Sequence, residues 1–312
     1  MVEQFGGVLM QMSMLFLIVA VGYAAKKLAW MDERIDRGLS VIVLNTALPA
    51  AILASVLSAE TLPSLQQLGI MAAFSVAAYA LLLVGGLLLT FVLRIRPGSQ
   101  GVFRFMALFG NVGFIGFPVT TALFGSESLI YASIFQIPFN LLVFTIGIWF
   151  LAQDNEKGVK VRLGPKQFLT PALASCLAAI VFIVLGIHNV PVVSDTLSTL
   201  GSMTTPASLL IIGSSLANLP VRELLGGPKL WVASFWRLLF MPILLFFLMR
   251  PFIADPTLLG VIVVLSGMPV ATNGTMLCYQ YHGNAKVMAQ GTFITTVFSL
   301  VTIPLLMMLL TL

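Results

Sequence analysis

Charge is what this sequence has least of. Asp, Glu, Lys and Arg make up 9% of its 312 residues, against roughly 25% in soluble domains. An ordinary water-soluble domain is excluded. Cysteine is nearly absent. Cys176 and Cys278 both lie in apolar runs and read as small buried hydrophobes, which argues against a disulfide or cysteine-metal framework. The two histidines, His188 and His282, sit near the ends of apolar runs and read as interfacial. The eleven acids are Glu3, Asp32, Glu33, Asp36, Glu60, Glu127, Asp154, Glu156, Asp195, Glu223 and Asp255, and none falls in the middle of an apolar run. A proton relay normally needs a buried titratable group, so coupling through a buried carboxylate is not expected. Serines have no His, Asp, Glu or Lys at depth to activate them, which argues against an intramembrane enzyme. Catalytic residues and a metal site are therefore expected to be absent.

What is present is hydrophobicity: 59% of residues are apolar and mean hydropathy is +1.06. A membrane span needs about 20 mostly apolar residues. Ten such stretches are read, at 7–29, 38–58, 66–93, 103–125, 127–151, 168–187, 195–217, 229–249, 257–280 and 286–311. The start, MVEQFGG, has no basic stretch and no small-residue cleavage pattern, so the first run reads as a retained span rather than a signal peptide. Of the 16 Lys and Arg residues, all but Arg237 and Arg250 fall in the loops after odd-numbered spans or at their edges. Basic loops mark the cytoplasmic side, so both termini are expected outside. The basic balance reflects topology and does not signal a nucleic-acid partner.

The runs repeat. Span 2 holds LNTALPAAILASVL and span 7 holds MTTPASLLIIGSSL. Span 4 is interrupted at GNVGFIGFP and span 9 at SGMPVATNGT. Spans 1–5 and 6–10 read as two copies of one unit, and five being odd, the second is inverted. The halves are residues 1–152 and 168–312, joined by a cytoplasmic linker at 153–167. Backbone at membrane depth has to be hydrogen-bonded or line a cavity. Paired broken helices in equivalent positions of two inverted halves mark a transporter's substrate site near the midplane. Here the breaks are expected at 110–118 and 267–274. They bring Asn111, Gly113, Gly116 and Pro118 from one half, and Asn273, Gly274 and Thr275 from the other. Glycines alone would also serve close helix packing, but packing requires neither asparagine.

Further polar residues lie at depth. Asn45 precedes Pro49 by four residues, and the proline frees a helix carbonyl there. Span 5 carries Ser133, Gln136 and Asn140 on one stripe. Span 10 carries Thr292, Thr296, Ser299 and Thr302 on another, with Gln290 near its start. Each stripe reads either as cavity lining or as hydrogen-bonding glue between helices. Arg237 is the charge well inside a span. It has three readings: pairing with an anionic substrate, bonding to helix carbonyls, or snorkelling to the cytoplasmic face. Neutral amides and hydroxyls, opposed helix ends and one arginine suit a small anion better than a cation. Sodium held by freed carbonyls remains open, as does uniport.

The order LNTALPAAIL, GNVGFIGFPV, PASLLIIGSSLA and MPVATNGTMLCYQYHGN resembles the auxin efflux carrier family, including its bacterial malonate and malate permease-like members, over nearly the whole chain. The resemblance implies an all-α polytopic membrane protein. Its ten transmembrane helices form two inverted five-helix repeats with broken crossing helices 4 and 9, and scaffold and transport bundles each draw on both repeats. It is a fold shared in outline with bile-acid sodium symporters. It implies an elevator-type secondary transporter of a small organic anion in the plasma (bacterial inner) membrane, and is compatible with a homodimer. It puts Asn111 and Pro118 at the first crossover, Asn273 and Gly274 at the second. Plant auxin carriers of the PIN type have a proline where this chain has Gly274, and a long central hydrophilic loop that it lacks. Both departures count against auxin as substrate. The alternatives are a sodium-coupled symporter of a larger amphipathic acid, or an anion channel.

Overall fold

The computed structural model describes residues 2–59, 62–154, 171–188, 190–217, 225–281 and 283–310. Most of the expected linker lies outside the described residues, as do Glu60, Arg222, Glu223 and His282. Among the described residues the regular structure is helical throughout.

The helices are α1 (Val2–Lys27), α2 (Glu33–Leu57), α3 (Leu65–Val92), α4 (Gln100–Leu108), α5 (Val112–Phe124), α6 (Ser128–Gln153), α7 (Pro171–Leu185), α8 (Pro191–Ser202), α9 (Thr204–Ala217), α10 (Pro228–Met249), α11 (Pro256–Ser266), α12 (Asn273–Tyr281) and α13 (Ala285–Leu310). Five of them, α2, α3, α6, α10 and α13, are long and apolar enough to cross a bilayer, and α5, α7 and α11 are shorter apolar helices. On α3, Val76, Val84, Leu88 and Phe91 are exposed. So large a set of bare apolar side chains suits hydrocarbon rather than water.

Three differences from the sequence reading have local causes. The seventh span is two helices, because α8 ends at Ser202 and α9 begins at Thr204, two residues before Pro206. The first interruption is shorter than expected: only 109–111 leave the helix, and 112–116 resume it as a π-turn. Prolines explain three of the four π-turns among the described residues, the turn at Val143–Gly147 being the exception. Those at Val43–Ala47, Val112–Gly116 and Trp236–Phe240 each end two residues before a proline: Pro49, Pro118 and Pro242. A proline donates no N–H and its ring presses on the carbonyl four residues back. That carbonyl belongs to Asn45, Phe114 or Leu238, each inside the widened turn. The wider register relieves the clash and is a common feature of functional sites.

The chain divides into two compact units. The first comprises Met1–Ala73, Gly113–Ile137 and Leu169–Leu219; the second comprises Phe74–Val112, Pro138–Phe168 and Pro220–Leu312. In the first unit α1 packs along α9. Gly22 lies against the backbone of Leu210, and Gly213 against the carbonyl of Val19. These small residues let two backbones approach where lipid offers no hydrophobic drive for association. Lys26 forms an ion pair with Asp36 (3.2 Å), which also accepts a hydrogen bond from the Ser214 hydroxyl (2.7 Å). Thus α1, α2 and α9 share one polar clasp. The Pro49 half of α2 is almost wholly buried, and Gly201 of α8 lies against the Ala51 backbone.

A side chain at either α1–α9 glycine would strike backbone. Gly22→Val and Gly213→Val are each expected to destabilise the protein by about 1–3 kcal/mol, read as a lowered midpoint of thermal unfolding in detergent. Gly38→Ala on α2 is the control. A methyl there meets nothing within 4 Å, so the midpoint should hold.

Candidate functional site: the backbone crossover

In the second unit α4 and α11 both end inside the protein, and the chain beyond each is extended. The two extended pieces pair antiparallel through a bridge from Gly110 to Val270. Asn111 N–H donates to the Pro269 carbonyl (2.7 Å), and Ala271 N–H donates to the Phe109 carbonyl (3.0 Å). Each break therefore supplies the hydrogen bonds the other has lost. The third partner is a side chain: the hydroxyl of Thr295 on α13 accepts from Val270 N–H (3.0 Å) while donating to the Gly291 carbonyl (2.7 Å).

The carbonyls at the helix ends have a different partner. Arg237, on the π-turn of α10, is 2% exposed. Its Nε donates to the Met268 carbonyl (3.1 Å), and one Nη donates to the carbonyls of Ala107 (2.9 Å) and Leu108 (3.2 Å). A helix C-terminus carries orphan carbonyls and a partial negative charge. One guanidinium answers the end of α4 and the chain just beyond the end of α11. Gly110 is part of this arrangement. A Cβ there would collide with Nη2 of Arg237 and lie 3.2 Å from the Met268 carbonyl oxygen.

Asp154 holds the other end of α4. Its carboxylate accepts from the backbone N–H groups of Gly101 (2.9 Å) and Val102 (2.8 Å), capping the helix from the end of α6. Burial pushes this carboxyl above the usual carboxylate range, while the two N–H donors and Arg104 pull the other way. Between the caps, Phe105 and Phe109 stack against each other at 4.8 Å, and Phe109 meets Phe139 edge-on at 5.6 Å.

The expected site residues distribute over both units. In the second, Asn111 is buried with its backbone in the pairing. Asn273 opens α12, followed by Gly274, against which the Phe105 ring and Met288 pack, and by half-buried Thr275. Thr296 donates to the Thr292 carbonyl (2.7 Å). The Oδ1 of Asn273 and the Oγ1 of Thr292 are buried without a hydrogen-bond partner among the described residues. Their helices, α12 and α13, pack together. Asn140 is buried on α6.

In the first unit, Asn45 is exposed and its amide donates to the Val41 carbonyl of its own helix (2.8 Å). Gly113 and Gly116 belong to the π-turn of α5, and Gln136 is half-buried on α6. Pro118 is buried and lines a cavity of about 230 Å³ with Ser55, Thr121, Glu127, Ser202 and Thr204 among its walls.

Two residues escaped the sequence reading. Thr295 lies on the same stripe as Thr292, Thr296, Ser299 and Thr302, three residues from Thr292 and four from Ser299, so the helical spacing could have found it. Asp154 reads as a loop acid. Only its position fifty-three residues from Gly101 makes it a helix cap.

Fold and site define an integral membrane protein whose apolar helices are interrupted at a buried backbone crossover, the architecture of a transporter. The chain belongs to the family of membrane transport proteins, which it matches over residues 7–307; this is the auxin efflux carrier-like family its motifs resemble. It is 26% identical over 296 residues to an uncharacterized transporter of Methanocaldococcus jannaschii, covering 93% of this chain and 94% of that protein. It is 24% identical over 292 residues to an uncharacterized transporter of Methanothermobacter thermautotrophicus, again covering 93% and 94%.

Thr295→Val leaves the buried Val270 N–H without an acceptor and is expected to cost about 1–3 kcal/mol, whereas Thr295→Ser keeps the hydroxyl and most of the stability; chemical denaturation in detergent compares them. Asp154 sets a pH dependence. A carboxyl raised on folding contributes stability that is complete below the ordinary carboxylate value, about pH 4, and is lost as pH rises through the folded value. That fall in melting temperature should be present in the native chain and absent in Asp154→Asn.

Proposed function

We propose that this protein is a secondary transporter of a small organic anion, a carboxylate, working by alternating access of elevator type around the crossover at 109–111 and 269–271. The observation that carries the reading is the buried amide oxygen of Asn273 and hydroxyl of Thr292, left without partners among the described residues beside a backbone break whose segments bond to each other. An orphaned buried polar group costs about 1–3 kcal/mol. Two on packed helices are explained by a ligand that supplies the missing bonds. The charge balance favours an anion. The acidic side chains among the described residues of this unit are Asp154 and Asp255, which cap the N-termini of α4 and α11, away from the break.

The proposed substrate contacts in this unit are Asn111, Asn140, Asn273, Gly274, Thr275, Thr292 and Thr296. Of the first unit, Pro118 stays in the set on the ground of the resemblance, and Asn45, Gly113, Gly116 and Gln136 on the ground of their place in the sequence pattern. The element order supports two repeats. The first half runs through a long helix, a proline-kinked helix, a long helix, an interrupted helix and a long helix; the second has the same order with a shorter first helix, α7, and its second element broken into α8 and α9 near Pro206. The inverted arrangement is inferred from five spans per copy and the outside termini from the distribution of basic residues; the plasma membrane as location rests on the resemblance. Two compact units, each drawing segments from both halves, suit a carrier made of two bodies.

The test is uptake of radiolabelled malonate and malate by liposomes containing the purified protein. Saturable uptake, competed by other carboxylates, is expected. Asn111→Ala and Asn273→Ala should each reduce it at least tenfold while melting like the native protein. Full transport by both variants would remove the crossover as the substrate site. Non-saturating flux would replace the carrier with a channel.

A further inference from the structure

We propose that Arg237 is the resident cation of the crossover, and that its guanidinium takes the place a coupling sodium ion would hold, so that transport runs without a sodium gradient. The inference rests on the carrier reading above.

In carriers with broken helices, unwound carbonyls and half-helix C-termini are the oxygens that hold a coupling cation. Here seven of those oxygens are committed. The carbonyls of Ala107, Leu108 and Met268 accept from Arg237. Those of Phe109 and Pro269 accept from the opposite extended segment, and those of Gly110 and Ala271 accept from Val112 and Gly274 N–H. A metal ion entering this cluster would stand directly against a buried positive charge. The oxygens present therefore do not fit sodium while Arg237 is in place.

The guanidinium is built in, not accidental. Gly110 leaves the space that Nη2 fills. The π-turn at Trp236–Phe240, imposed by Pro242, sets the direction of the side chain. Arginine stays protonated even when buried and spreads its donors over a planar fork, which suits carbonyls arriving from two helix ends. A bound ion leaves and returns with each cycle, and that exchange is what couples transport to a gradient. A tethered cation neutralises the same helix ends and never dissociates. Arg237 is in this sense a positioning residue: it holds the crossover through the backbone of α4 and α11 and is not itself a substrate contact.

Two measurements on the full-length protein test this. The first is malonate and malate uptake into liposomes with external sodium, potassium or N-methylglucamine chloride. The rate should change by no more than about twofold among the three. Saturable uptake that rises tenfold or more with inward sodium overturns the inference and leaves the carrier intact. Absence of uptake of both acids removes the dicarboxylate reading, and the second measurement then decides the inference by itself.

That second measurement is thermal unfolding in detergent, which needs no transport. Arg237→Ala should melt lower by about 5 °C or more, and millimolar ethylguanidinium should recover part of the loss. A variant that melts like the native protein, or one that ethylguanidinium does not help, overturns the inference. If Arg237→Ala does not fold, Arg237→Lys and Arg237→Gln replace it. The lysine, which keeps the charge, must be clearly the more stable of the two, and equal melting overturns the proposal.

Discussion

Everything in the second unit depends on one requirement: a peptide group away from water has to find a partner. Two helices stop inside a protein that is otherwise apolar, and each stop leaves N–H and C=O groups exposed to a medium that cannot solvate them. The answer has two parts. The extended pieces at 109–111 and 269–271 bond to each other, and the helix ends that precede them are bonded by Arg237. Removing either part leaves the other insufficient, because paired strands do nothing for the carbonyls of Ala107 and Leu108, and a guanidinium does nothing for the N–H of Val270.

The same requirement separates structural from functional polarity. Most hydroxyls at depth donate to a carbonyl one turn back on their own helix, as Ser133 does to Leu129 and Ser299 to Thr296. Such groups are self-satisfied and carry no claim to a ligand. Asn273 and Thr292 differ because their buried atoms lack this resolution. Polarity in a membrane span is a weak sign of function; polarity left unanswered is a stronger one.

Proline recurs as the agent that places these features. Three π-turns stand two residues ahead of prolines, and one of them aims Arg237. The residue pattern made the interruptions legible: clusters of Gly, Asn and Pro in otherwise apolar runs cannot continue a helix, and the chain does leave the helix after Leu108 and after Ser266. Their extent was less legible. Gly113, Gly116 and Pro118 read as part of the first break, yet they lie in a continuing helix, since the π-turn at Val112–Gly116 relieves the clash of the Pro118 ring with the Phe114 carbonyl.

Composition, length of apolar runs and breaker residues determined by themselves that this is a helical membrane protein with interrupted spans, because those properties follow from local energetics and from the solvent a segment can tolerate. Tertiary structure alone decided who answers whom. Arg237 had three readings as a residue in a span. Its three carbonyl partners come from the end of α4 and from the segment beyond α11, the nearer thirty-one residues away in sequence. Thr295 and Asp154 gained their roles in the same way, since a hydroxyl or carboxylate has no meaning as a cap until folding brings a distant N–H within bonding reach.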